Sequence, residues 1–344
     1  MINNELNMKI ISHENLIEAG CFDVNECIKV CEDAFWKYAS GDVIFPEKVS
    51  VVFDQCTQDR INCLPAGILS EKVYGMKWVS VFPQNPKERK IPNLTAVTLL
   101  SDLETGFPIA FLEGSLCSNL RTAAVGAIGA KFCARKDSRV IGFIGAGEQA
   151  KTHFLSMKAV CPQITKCKVA SRTHQSEEKF AEQMKKFHPE VEFVMCRGNY
   201  EEAARDSDII ITAISGQEKL LQADWIDPGT FYCHVGGLED DFLVPKKADK
   251  IVCDNWEVVK HRTQTISQMY KLGLLSDEDI YANLDELVTG RKKGREYDHE
   301  FIYFNSVGMS FVDIALANWM YKKVMEFGNG LDIKMKSKSM FDFE

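Results

Sequence analysis

Apolar and polar positions change rhythm several times along this chain. "KIISHE", from Lys9, reads as a short strand. From Val24 the side chains Val24, Ile28, Cys31, Phe35 and Tyr38 recur at three- and four-residue steps, the spacing of a helix with one buried face. Four strand-like runs follow: "KVSVVFD", "INCLPAGIL", "VYGMKWVSVFP" and "TAVTLLSD". Turn-rich pieces such as "PQNPKERKIPN" and "DLETGFP" separate them. Strands in succession with no helix between them predict a mixed or antiparallel sheet. The pattern then turns over at "NLRTAAVGAIGAKFCARK", a helix of small residues. Beyond it strands at 139–144, 166–171, 191–195, 207–213, 230–235 and 250–253 are interspersed with helices at 148–160, 175–187 and 200–205, which predicts a doubly wound parallel sheet. "SVGMSFVDIALANWMYKKVMEF" closes the pattern as an amphipathic helix.

The 344 residues suffice for two domains with their own cores, and 45% hydrophobic with 26% charged residues is an ordinary globular balance. A net charge of −8 argues against general nucleic-acid binding. Twelve cysteines without a C-x-x-C pair read as buried thiols in a reducing cytoplasm rather than as metal ligands, so no metal is expected. "MINNELNMKIISHENL" lacks the basic stretch and apolar core of a signal peptide. No apolar run approaches the roughly 20 residues a membrane helix needs.

The chemistry first shows in "RVIGFIGAGEQAKTHF", residues 139–154. A mostly apolar strand runs into G-x-G-x-x-A and then a helix. Gly145 permits the sharp turn, Gly147 lets the backbone approach a pyrophosphate, and Ala150 is small enough for close helix packing. The helix N-terminus, with Glu148 and Gln149, turns free N–H groups toward the phosphates. At the end of the second strand, an acid would favour the ribose hydroxyl of NAD; this chain has Ser171, Arg172 and Thr173 instead. A guanidinium and two hydroxyls suit a 2′-phosphate, so NADP(H) is favoured over NAD(H), the alternative being an Arg172 that stacks on adenine or lies in solvent. Thr212 and Ala213, at the end of a later strand, are further cofactor candidates.

"MKWVSVFPQNPKERKIPN", "LLSDLETGFPIAFLEGSLCSNLRTAAVGAIGAK", "IGAGEQAKTHF" and "YFNSVGMSFVDIALA" together resemble the ornithine cyclodeaminase/mu-crystallin family over nearly the whole chain. The resemblance implies an α/β fold: a Rossmann dinucleotide-binding domain, 121–314, and an α+β substrate domain, 1–120 with 315–344, that also forms a homodimer. It implies hydride transfer at an α-carbon bearing nitrogen. Arg121, read as opening a helix that begins at Thr122, suits a carboxylate both by charge and by position, and the resemblance gives it the substrate carboxylate. Lys77, on an apolar strand, needs an anionic neighbour if buried; the resemblance gives it the carboxylate and the reacting centre. Lys48 falls where relatives carry an arginine, and Asn93 where cyclodeaminases often carry threonine.

The pattern departs at "CHVGGLEDDFLVP". Where cyclodeaminases place a catalytic aspartate, this chain has Leu238, followed by Glu239, Asp240 and Asp241. Glu239, Asp240 and Lys77 are the proton-carrier candidates, against a reading of the acidic triplet as a solvated loop. His234 is either a general acid/base or a core residue. "CDNWEVVKHR" and "NLDELVTGRKKGRE" resemble the branch with diaminopropionate-pathway dehydrogenases. Ser306, at the start of the last helix, is a candidate for the nicotinamide carboxamide. The expected activity is a cytoplasmic, homodimeric, NAD(P)-dependent oxidoreductase acting on an amino or imino acid. Its alternatives are ornithine or lysine cyclodeamination and NADPH-dependent binding of a small ligand in the manner of mu-crystallin.

Overall fold

The computed structural model describes residues 6–54 and 58–336. The chain divides into two compact units. One combines Met1–Asp23, Ser40–Ser118 and Ser310–Glu344; the other combines Val24–Ala39 and Asn119–Met309.

The first unit is built on strands β1 (Leu6–Ile11), β2 (Val43–Ile44), β3 (Val49–Asp54), β4 (Asp59–Ile68), β5 (Val73–Val81), β6 (Leu94–Asp102) and β7 (Pro108–Glu113). The C-terminal strand Leu331–Lys336 starts the sheet, followed by β1, β7, β6, β5, β4 and β2, with β3 also paired to β4. Pairing is antiparallel except between β1 and β7. This is the mixed sheet that uninterrupted strand signals predict. Along β5 the two-residue period turns Val73, Gly75, Lys77 and Val79 inward and leaves Trp78 on the other face. The helix Ser310–Phe327 packs against β4, β5 and β6. Gly75 permits the close approach: a Cβ there would come within 2.6 Å of the Leu99 carbonyl and 2.9 Å of Ile314.

The second unit carries β8 (Val140–Ile144), β9 (Lys166–Ala170), β10 (Glu192–Met195), β11 (Ile209–Thr212), β12 (Phe231–His234), β13 (Lys250–Cys253), β14 (Ala282–Asn283) and β15 (Ile302–Asn305). They pair in parallel in the order β10-β9-β8-β11-β12-β15-β13-β14. β11, "IIIT", is buried at every residue, as a central parallel strand must be. Phe143, Phe154, Phe180 and Phe193 interlock in tilted and edge-to-face pairs between the sheet and the helices Glu148–Val160 and His174–Phe187. Strand order reverses between β8 and β11, and in such sheets ligands bind beyond the carboxyl ends of the strands at that point.

Three readings need correction. The small-residue helix begins at Ser115, where the Glu113 carboxylate accepts the Ser115 and Leu116 N–H groups, so Arg121 lies well inside the helix and not at its start. β15 enters the sheet between β12 and β13; Ile302, Tyr303 and Phe304 are strand formers, but the four-residue run is too short to be read as a strand by itself. The helix Val24–Ala39, placed by sequence in the first domain, groups with the second unit. No helix among the described residues is long and apolar enough to cross a membrane.

Candidate functional site

At the switch point lies a crevice of about 330 Å³, lined on one side by Gly145, Ala146 and Gly147 and further along by Ser171, Arg172, Thr173, Ser176 and Tyr200. Ala213, Ile214, Ser215, Gly216, Glu218 and Leu220 form its other wall. Gly145 holds φ at +112°, and a Cβ there would lie 2.5 Å from the Ala213 carbonyl. Around the missing Cβ of Gly147, by contrast, the space is open for 4 Å, and no side chain caps the helix Glu148–Val160 that Gly147 begins. Uncapped N–H groups beside an open glycine are what a pyrophosphate requires. Ala150 is fully buried, as its packing role demands. Glu148 pairs with Lys151 at 2.6 Å and Gln149 donates to Asn119 at 2.8 Å. The residues present therefore fit a dinucleotide.

Other candidates face away from the crevice. Thr212 is buried, with Oγ1 2.9 Å from the Tyr232 hydroxyl and donating to Glu239 at 2.7 Å, so of the expected pair Ala213 alone lines the crevice. Ser306 is 2% exposed and donates its hydroxyl to Asp254 at 3.1 Å. Glu239 and Asp240 are not a solvated loop: both are fully buried. Glu239 accepts the Ile214 and Gly236 N–H groups at 2.6 and 2.8 Å, and Asp240 accepts the Thr265 hydroxyl at 2.6 Å. Asp240 Oδ2, also buried, accepts no hydrogen bond among the described residues. His234 proves to be a core residue between them, 3.4 Å from Glu239 and 3.2 Å from Asp240.

Arg121 is half-buried and its guanidinium lies directly against Gly308, whose φ of +82° and absent side chain leave room for it. The turn bearing Gly308 is fixed by Asp254, which accepts the Val307 and Gly308 N–H groups at 2.8 and 2.7 Å. Burial raises the Asp254 carboxyl to about 6 against the opposing effect of these donors. His153 is driven down to about 4, chiefly by burial, with its Gln149 hydrogen bond opposing and the nearby Arg121 charge assisting. Sequence reasoning missed Asp254; the acid at the end of the apolar strand "KIVC" was its available signal.

In the first unit Lys77 is 1% exposed, and its Nζ donates to Asp313 Oδ1 at 2.7 Å. The expected anionic neighbour is therefore protein. Asp313, fully buried on the helix Ser310–Phe327, was also missed, although an acid within "SFVDIALA" is conspicuous on a buried helix face. Lys48 lies half-buried in the loop between β2 and β3, and Asn93 immediately before β6. Among the described residues no group of three or more His, Cys, Asp or Glu is arranged to hold a metal.

The family model described as Ornithine cyclodeaminase/mu-crystallin family matches residues 9–328. The N-((2S)-2-amino-2-carboxyethyl)-L-glutamate dehydrogenase of Staphylococcus aureus is 29% identical over 332 residues, covering 95% of this chain and 98% of that protein. The Thermococcus litoralis Delta(1)-pyrroline-2-carboxylate reductase, solved in complex with NADH and L-proline, superposes with a TM-score of 0.90 at 32% identity, over 95% of this chain and 100% of that one. An archaeal alanine dehydrogenase dimer with bound NAD gives 0.87 at 30% identity, over 96% and 100%. The chain belongs to the ornithine cyclodeaminase/mu-crystallin family, and these matches within it are oxidoreductases.

Proposed function

We propose that the protein is a nicotinamide-dependent oxidoreductase acting at the carbon–nitrogen bond of an amino or imino acid, with NADP(H) preferred over NAD(H). The observation that carries this reading is the crevice, whose glycine turn and uncapped helix meet Ser171, Arg172 and Thr173 on one wall. Glu177, the acid that follows this strand, is buried and engaged by the Ser171, Arg197 and Gly198 N–H groups, leaving it no oxygen for a ribose hydroxyl. The relatives support the substrate class: a substituted glutamate, a pyrroline carboxylate and alanine share a carboxylate next to a carbon that bears nitrogen.

When bound, the nicotinamide gives or takes the hydride. In the second unit Arg121 is the carboxylate ligand of this proposal, and in the first Lys77, Lys48 and Asn93 are its substrate contacts. Lys77 carries the proton for the substrate nitrogen, with Asp313 holding its ammonium in place. The protein works as a homodimer in the cytoplasm, whose reducing conditions suit its buried cysteines. Trp78 and Phe111, 44% and 37% exposed on the sheet of the first unit, are apolar surface for a second copy to cover.

The test pairs NADPH or NADH with pyruvate, glyoxylate or 2-oxoglutarate plus amines, or with cyclic imino acids, and follows absorbance of the reduced nicotinamide. Oxidation with at least one substrate class is expected, faster with NADPH. Arg172→Ala should weaken NADPH by about tenfold or more and NADH little, since a charged hydrogen bond is worth about 1.5–3 kcal/mol. Equal affinities in wild type and variant for both nucleotides would refute the phosphate assignment.

A further inference from the structure

Glu239 stands out as a hub. Its carboxylate takes four groups around it: the Thr212 hydroxyl at 2.7 Å, the Ile214 N–H at 2.6 Å, the Gly236 N–H at 2.8 Å, and His234 Nε2 at 3.4 Å. Its own carbonyl accepts the Leu220 and Leu221 N–H groups at 2.9 and 3.1 Å. One residue thus grips both ends of the segment 212–221, which supplies a wall of the crevice, and ties it to the end of β12. Gly236 lies so close that any Cβ would strike the carboxylate.

His234 supplies the opposing charge. Its Nε2–H donates to the Gly237 carbonyl at 2.6 Å, and its Nδ1 lies 2.6 Å from the Tyr303 hydroxyl and 3.2 Å from Asp240 Oδ1. Tyr232 stacks on the ring at 6.1 Å. Burial pulls the imidazole toward neutrality, but Asp240, Glu239 and the Gly237 carbonyl outweigh it, so the net shift is upward from the ordinary histidine value. Two buried carboxylates against one imidazolium make a charge-assisted clasp.

We propose that Glu239 and His234 are positioning residues for the dinucleotide, holding the wall Ala213–Leu220 in its binding shape, and that His234 does so as the imidazolium. The inference rests on the functional reading above. Neither residue lines the crevice; both act through the backbone that does. Because the folded value of His234 is raised, its contribution is complete below the ordinary histidine range and is lost as pH rises through the raised value. Glutamine at 239 would present an amide N–H to a backbone or hydroxyl donor. Glutamine at 234 reproduces the Nε2–H donor to Gly237 without a titration.

The experiment measures NADPH and NADH affinity of the full chain by fluorescence from pH 7 to pH 9.5, with thermal melts of each protein. Wild-type affinity should fall as pH rises. His234→Gln should give a flat profile, His234→Leu weak binding throughout, and Glu239→Gln a loss of about tenfold or more in a protein that still melts cooperatively. A Glu239→Gln protein binding like wild type, or a His234→Gln profile that falls as wild type does, overturns the clasp alone. Should Glu239→Gln not fold, the His234 profiles decide. Failure of wild type to bind either nucleotide overturns the functional reading and the clasp together.

Discussion

Replacing Arg121 by alanine should lower kcat/KM for the amino or imino acid by about two to three orders of magnitude and leave NADPH affinity within about twofold of wild type. Truncating one member of a desolvated charge pair costs about 2–5 kcal/mol, and each 1.4 kcal/mol is about tenfold. The effect does not depend on a helix terminus, because Arg121 lies within the helix Ser115–Cys133 and the first amides of that helix are held by Glu113. It depends on a guanidinium seated against Gly308, in a turn that Asp254 fixes. Arg121→Lys should recover part of the loss, since it restores charge without the bidentate fork. Steady-state kinetics beside a cofactor titration checks this, and parallel loss of cofactor affinity would contradict a role confined to the carboxylate.

Lys77→Met should both destabilise the protein, by about 3–5 kcal/mol, and abolish turnover. The ammonium and the Asp313 carboxylate are almost wholly buried, and removing one leaves the other charge in a low-dielectric interior. The double variant Lys77→Met/Asp313→Leu should regain most of the stability, because replacing both members of a buried pair by apolar residues is often neutral or better. It should regain no activity if Lys77 carries the proton. Denaturant unfolding with activity assays separates the two effects. A double variant as active as wild type would show that the pair serves the fold alone.

The elements that set their own local pattern were legible in the sequence. The strand, glycine turn and helix from Val140 to Val160 form where apolar run and fingerprint place them, because that turn depends on residues within it. β4, β5 and β6 likewise follow their two-residue period. β7 and β15 went unread for a different reason. "PIAFLE" is a short run between the turn at Gly106 and the helix from Ser115, and "IYFN" is only four residues, fixed as a strand by pairing with β12 and β13.

At the site, residue types were legible and directions were not. A threonine at the end of β11 could face the crevice or the core; Tyr232 and Glu239, distant in sequence, turn it inward. "GLEDD" has the composition of a solvated loop, and only the donors converging from Thr212, Ile214, Gly236 and Thr265 explain its burial. A buried lysine such as Lys77 demands an anion, but the sequence does not say which; the partner is 236 positions away.

The measurement that bears most directly on hydride transfer at carbon–nitrogen uses NADPH deuterated at the transferring position of the nicotinamide, with an imino acid or a keto acid and amine. The account predicts deuterium on the α-carbon of the amine product, in step with net oxidation of the cofactor. Unlabelled amine product, or no amine product and no net oxidation of the cofactor with any of these substrates, would contradict it.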